Sequence, residues 1–254
     1  MIRAWLRSWL FLPAAIGMAG LLWWAYRALP QVGDSRSLYG DYIATNAVGE
    51  RHATDTVNAV TYDYRGIDTL GEEFILFASV IGVLLLFRRQ PGHPADTSEA
   101  HEDEQIEETI PPTDTIRVTM QGMVAVMVVF GMYIASHGQL TPGGGFQGGV
   151  ILATAALVVY LGGRVDTFKR AVSHPLTEIA EALGAGGYAL IGASAFIVGA
   201  AFLTNWLPLG QTGQLISSGT ILLISLAVGL EVTGGFALLM HAYLEEVIKQ
   251  QGGE

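Results

Sequence analysis

The sequence predicts an all-α integral membrane protein with six transmembrane helices, a two-helix N-terminal part followed by a four-helix C-terminal bundle. Three observations predict it. Of the 254 residues, 51% are hydrophobic and only 14% are charged, against about 25% charged in an average soluble domain. Mean hydropathy is +0.42. The apolar residues also fall in long runs free of Asp, Glu, Lys and Arg, and a bilayer core about 30 Å thick takes about 20 such residues as a helix. The absence of Cys excludes a disulfide scaffold and a thiolate metal site. A net charge of −10 with pI near 5.0 excludes a basic nucleic-acid binder.

The charge-free runs give the spans in order. Trp9–Tyr26 holds 18 residues, Val118–Ser136 holds 19, and Gly138–Gly163 holds 26 and opens on a Gly-rich turn. Ala182–Leu230 holds 49, enough for two spans with a break at Asn205–Gly213. The last helix is read as Leu215–Leu244, interrupted by Glu231 and His241. One span is short: Phe74–Phe87 has 14 uncharged residues, about 21 Å of helix. To cross, it must draw in part of Thr69–Glu73 at one end, with Arg88 and Arg89 snorkelling at the other. The start Met1–Leu12 resembles that of a signal peptide, but no small-x-small cleavage site precedes a soluble domain, so it is read as a retained helix.

Alternating six spans puts nine Lys/Arg on one side (Arg3, Arg7, Arg88, Arg89, Arg117, Arg164, Lys169, Arg170, Lys249) and four on the other (Arg27, Arg36, Arg51, Arg65). The richer side is expected to be cytoplasmic, with both termini inside and the loop from Pro30 to about Leu70 outside. Three regions result: 1–89, a linker 90–116, and 117–254. The linker is bounded by Pro91, Pro94, Pro111 and Pro112 and carries seven acids from Asp96 to Glu108 with no base between them. Without those seven the chain would stand at −3, so the acidity belongs mostly to one segment, which reads as a disordered cytoplasmic connector.

Glu231 is the clearest candidate for chemistry. It lies mid-span in Gly229–Gly235, where a carboxylate costs about 2.5–3.5 kcal/mol on insertion scales, and no span offers a Lys or Arg to offset it. The residue is read as a proton or ion relay, with a hydrogen-bonded packing acid as the competing reading. A second group is Asp63, Arg65, Asp68, Glu72 and Glu73, leading into the short helix, which draws Glu72 and Glu73 to the membrane boundary or below it. Asp68 suits a helix cap, and Glu72 is drawn toward the membrane with Arg65 as its expected counter-ion. A third is Ser136–Gly149, where five of the seven residues from Gly143 to Gly149 are Gly. It lacks the Gly-Lys-Ser/Thr of a phosphate loop. Gly143, Gly144, Gly145, Gly148 and Gly149, with Gly234 and Gly235 later, are read as close-packing positions; the free amides at this helix start can face an anion or a carboxylate. His137 at the boundary is a candidate for the proton or ion path, with a satisfied structural His as the equal alternative. No metal site, Ser/His/Asp set or cofactor fingerprint is legible, so the expectation is a non-enzyme with no cofactor and no nucleic-acid partner.

Two stretches carry a resemblance. Val118–Glu246 resembles the MnhB family, the B subunit of Mrp-type multisubunit sodium/proton antiporters, through His137, Gly138, Thr141-Pro-Gly-Gly-Gly-Phe-Gln-Gly-Gly149, Ser218-Gly-Thr-Ile, Gly229-Leu-Glu-Val and Gly234-Gly. Val57–Arg89 resembles the C-terminal end of the large A subunit, through Val57-Asn and Val60-Thr-Tyr-Asp-Tyr-Arg-Gly-Ile-Asp-Thr-Leu-Gly-Glu72. Together they cover some 160 of 254 residues. The family belongs to complexes related to the membrane arm of respiratory complex I, and similar subunits occur in membrane-bound hydrogenases, so the chain looks like a fusion of two such pieces. The resemblance implies an accessory subunit in the cell membrane, moving sodium ions and protons together with other antiporter subunits and in contact with lipid. It assigns Glu231, Asp63, Asp68 and Glu72 to the ion path. A hydrogenase-type membrane arm, or a purely structural packing subunit, are the alternatives.

Overall fold

A computed structural model of the chain describes residues 2–29, 37–87, 113–162, 167–168, 170, 172 and 174–251. The predicted linker falls almost entirely outside these, as do Arg88, Arg89, Arg164 and Lys169 of the charge count. Among the described residues the backbone is helix and irregular loop, with one isolated antiparallel bridge between Gly210 and Ser217.

Residues 1–42 form one compact unit and 43–254 another. The first contains α1 (Ile2–Arg27), with Pro13 inside it, where Trp23 stacks on Tyr26. The helix α2 (Leu38–Arg51) follows. In the second unit a single turn α3 (Thr56–Ala59) starts at Asp55, whose side chain accepts the Val57 amide. It passes directly into a π-helical turn, Val60–Tyr64. Then come α4 (Gly66–Phe87), α5 (Asp114–Ser136), α6 (Gly145–Leu161), α7 (His174–Ser194) with a 3-10 turn Ala195–Val198, and α8 (Thr220–Gln251). Helix within the expected Pro30–Leu70 loop is a difference from the sequence expectation. Those helices are polar and short, so no apolar run marks them.

Among the described residues four helices are long and apolar enough to cross a membrane: Gly66–Phe87, Asp114–Ser136, Pro175–Val198 and Thr220–Leu244. This is four, where the sequence predicts six. Of the others, α6 has 17 residues, about 26 Å. The 26-residue run it came from loses its first part to a turn at Gly143 and Gly144, both at positive φ (148° and 138°), a conformation that a side chain resists. The predicted break at Asn205–Gly213 widens to the irregular stretch 199–219, entered at Gly199 (φ 72°) and left at Ser218 and Gly219 (φ 67° and 58°). α8 therefore starts at Thr220 rather than Leu215.

The core of the second unit joins both sequence regions. Ala59, Tyr62 and Leu70 pack with Tyr188 of α7 and with Ile221, Ile224, Val228 and Val232 of α8. A smaller cluster gathers Phe168, Val172 and Ala237. Two apolar helix faces thus close around one seam, and the carboxyl groups described next lie in it.

Candidate functional site

α8 carries Glu231, fully buried at 0% exposure. Neither of its carboxyl oxygens has a hydrogen-bond partner among the described residues. Two more acids join it. Glu73 on α4 and Glu181 on α7 are each 3% exposed, and each has one buried oxygen without a partner among those residues. Glu181 reaches the Glu231 helix directly, its Oε1 3.2 Å from where a Cβ on Gly235 would stand.

Glycine makes this convergence possible. A Cβ on Gly184 of α7 would stand 2.4 Å from the Glu231 amide nitrogen and 2.6 Å from its Cα, so the two backbones touch at the acid itself. One on Gly234 would meet the Thr177 carbonyl at 2.6 Å and the Glu181 nitrogen at 2.7 Å. These pairings run in opposite directions along the two helices, so α7 and α8 are antiparallel. Gly235 lies one turn beyond Glu231, and a Cβ there would be 3.2 Å from both Glu181 Oε1 and Val80 Cγ2 of α4. The Glu181 carboxyl therefore lies about 6 Å further along the Glu231 face of α8. Among the described residues no three His, Cys, Asp or Glu groups come together as a metal would need; Glu73, Glu231 and Glu181 are buried acids on three spanning helices and make up the acid row.

At one end of the row lies a polar clasp. Arg51 Nε donates to Asp63 Oδ1 at 2.8 Å, and the guanidinium sits 4.7 Å over the Tyr64 ring. Asn205 Nδ2 donates to Asp63 Oδ2 at 2.9 Å and to the Ser218 carbonyl at 3.0 Å, while its Oδ1 accepts the Thr220 amide at 2.9 Å. One side chain thus caps α8 and ties it to the π-helical turn. Between clasp and row, Tyr188 donates to the Gly66 carbonyl at 2.8 Å and meets Tyr62 edge-on, ring centres 6.4 Å apart. Burial first, then the Glu73 charge, push the Tyr62 phenol well above its ordinary value, which keeps it neutral.

The residues singled out from sequence are distributed as follows. Glu231 is in the row. Asp63 is a clasp residue, its side chain 6% exposed. Glu72 is exposed, while its neighbour Glu73 is buried. Arg65, expected opposite Glu72, instead donates through Nε to Asp68 Oδ2 at 2.7 Å; the Arg65 and Asp68 side chains are both exposed, and the 3-residue spacing puts them on one helical face. His137 ends α5, stacked on Tyr133 at 4.1 Å, with Nδ1 3.0 Å from both Ser136 Oγ and the Tyr133 carbonyl. Of the Gly-rich string, a Cβ on Gly145 would come 2.0 Å from the Ser225 carbonyl, on Gly148 2.7 Å from the Ala135 nitrogen, and on Gly149 2.7 Å from Val232 Cβ.

Sequence reasoning names Glu73 at the membrane boundary but prefers Glu72, and it misses Glu181. For Glu181 a signal exists: the run Thr177–Leu183 is helical in pattern, but a charge-free stretch can start no earlier than Ala182.

The fold and the seam define an all-helical membrane protein with acids inside its spans. Residues 115–238 match the domain related to the MnhB subunit of Na+/H+ antiporter, and residues 7–105 match the family of the MBH E subunit. The chain is 30% identical over 195 residues to an uncharacterized protein of Methanocaldococcus jannaschii, covering 71% of this chain and 73% of that one. It belongs to one family with that archaeal protein, and its residues 115–238 are an MnhB-related domain. It is also 27% identical over 274 residues to the A/B subunit of a probable K(+)/H(+) antiporter of Rhizobium meliloti, covering 98% of this chain but spanning about a quarter (26%) of that protein. Among solved structures, a chain of the archaeal membrane-bound sulfane sulfur reductase, a respiratory membrane complex, matches at 28% identity and TM-score 0.69, over 94% of this chain and 98% of that one.

Proposed function

We propose that the chain is an accessory membrane subunit of a multisubunit cation/proton antiporter complex, and that Glu73, Glu231 and Glu181 form a lateral segment of its proton or ion path. The observation that carries this reading is Glu231: a carboxyl at 0% exposure, in the middle of an apolar helix, with no hydrogen-bond partner for either oxygen among the described residues. Such a group is costly in a membrane and marks ion traffic by default. The likeness of residues 115–238 to a domain of Na+/H+ antiporters supports the same class, as does the relative bearing a K(+)/H(+) antiporter name.

On this reading α1 and α6 complete six spans, both termini face the cytoplasm, and sodium ions and protons are the cargo. The chain is not itself an enzyme: it has no Lys in any span to pair with its acids, so the main exchange machinery belongs to partner subunits. Asp63 and Asp68, each ion-paired, act as fixed charges near the clasp, while Glu72 and His137 lie at the margin of the path.

The test is Glu231→Gln in the intact complex, with sodium-dependent proton movement followed in inside-out vesicles. The expected result is an assembled complex whose exchange is about 100-fold slower, the low end of what one positioned proton-carrying group contributes. Full exchange in the assembled variant would sink the reading. A second reading, a membrane-arm subunit of a redox-driven complex, is favoured by the near-complete cover of the sulfane sulfur reductase chain. Identifying the proteins that co-purify with this chain separates the two.

A further inference from the structure

α5 and α6 pack backbone to backbone at one end and part toward the other. A Cβ on Gly148 would stand 2.7 Å from the Ala135 nitrogen, and one on Gly131 2.8 Å from Leu152 Cγ. Near the other end a Cβ on Gly162 would be 3.3 Å from Met120 Cβ. The pairing runs in opposite directions along the two helices, so the start of α5 and the end of α6 share one membrane boundary. Between the glycine contact and that boundary the facing side chains are larger, and they leave a groove of about 260 Å³, open on one side. Met120 and Val124 of α5 wall one flank, and Val158 and Val159 of α6 the other. Among the described residues its polar lining is Gln121 and Thr167, at the boundary end.

Net positive charge flanks that end. Arg117 lies three, four and seven residues before Met120, Gln121 and Val124, on one face of α5, and its side chain is 44% exposed. Asp114 stands 3.9 Å from it at 99% exposure, a loose pair that contributes little. Arg170, three residues past Thr167, is exposed, and the connection from Gly163 to Ser173 carries Arg164, Lys169 and Arg170 against Asp166 in sequence. An apolar groove inside a membrane protein with cations at its mouth matches a guest that is apolar along its length and negative at its head. Basic sites between spanning helices take anionic lipid headgroups for this reason. The volume lies below the ~300 Å³ at which clefts for compact ligands begin, so the guest is narrow. A neighbouring helix, about 10–12 Å across, would lie over the groove rather than in it. We propose that α5 and α6 form a binding site for an anionic phospholipid, with one acyl chain between Val124 and Val158 and the phosphate set against Arg117 and Arg170. The site is independent of the ion-path reading.

The test uses the purified complex and a phosphatidylglycerol whose acyl chain carries a photoreactive diazirine, with crosslinked residues read by mass spectrometry. Crosslinks are expected on Met120, Val124 or Val158. Unlabelled phosphatidylglycerol should displace the probe where phosphatidylcholine at the same concentration does not. Arg117→Gln should weaken labelling about fivefold, the factor that one basic residue near an anionic headgroup carries. Val158→Phe fills the groove, leaves both arginines in place and should abolish labelling. Equal displacement by the two lipids overturns the proposal, since charge would then play no part in recognition. So do labelling that Arg117→Gln leaves unchanged, labelling that survives Val158→Phe, and crosslinks that fall outside the groove, the result if a partner subunit covers it. Should Arg117→Gln not assemble, Arg170→Gln goes through the same titration with the same outcomes.

Discussion

Replacing Gly184 by Ala tests the seam directly. The added Cβ would lie 2.4 Å from the Glu231 nitrogen, 2.5 Å from its Cβ and 2.6 Å from its Cα. All three are atoms at or beside the backbone, so no flexible side-chain tip can swing away. Carbon and its neighbours rest at about 3.5–4.0 Å, so α7 and α8 must part by about 1 Å at Glu231. Overpacking of this kind costs about 1–3 kcal/mol, and a displacement of about 1 Å at a working group can cost about 100-fold in rate. Gly186 is the control: it lies on the same helix, and a Cβ there meets nothing within 4 Å. Gly186→Ala should be neutral or stabilising by up to about 1 kcal/mol through helix propensity. The assay is thermal unfolding of the purified complex together with vesicle exchange. Gly184→Ala should melt lower and exchange more slowly, and Gly186→Ala should do neither. Equal behaviour of the two would refute the claim that backbone contact at Glu231 shapes the path.

Other predictions concern the clasp and the row. Asn205→Ala removes partners from Asp63, Ser218 and Thr220 at once and should cost about 1–3 kcal/mol, read as a lower melting temperature. Arg51→Met leaves Asp63 without its cation and should destabilise by about 1–3 kcal/mol, less than a fully buried pair because Arg51 is partly exposed; adding Asp63→Asn should restore part of the loss in the same melt. Glu73→Gln should slow vesicle exchange well beyond Glu72→Gln, since only Glu73 is buried; equal effects would remove Glu73 from the row.

Glu231 is legible in the sequence because a single acid beside a 49-residue charge-free run has nowhere polar to go. Glu181 is not, although it lies in the same seam. Charge-free runs assume that helices begin where acids end, and α7 begins at His174, eight residues before that boundary. The choice between Glu72 and Glu73 is illegible for another reason. Neighbours on a helix differ by about 100° in direction, and the phase of α4 is set by Leu70, Tyr188 and Val80 packing, not by local sequence. The clasp escapes because Asp63 and Asn205 are 142 residues apart, and nothing in either stretch names the other. The Gly-rich string announces close approach, yet only the fold shows that the closest approach at Glu231 is made by Gly184, a glycine outside the string.

The two glycine contacts between α7 and α8, at Gly184 and at Gly234, have a mechanical consequence. Helices in backbone contact at two points cannot slide or roll against each other without breaking both. The backbones that carry Glu181 and Glu231 are therefore held against each other on both sides of Glu231. α4 meets those two helices through side chains, Val80 against Gly235, Leu70 against Tyr188 and the Tyr188 hydroxyl on the Gly66 carbonyl. The spacing of Glu181 and Glu231 is thus fixed by backbone contact, and that of Glu73 by side-chain packing.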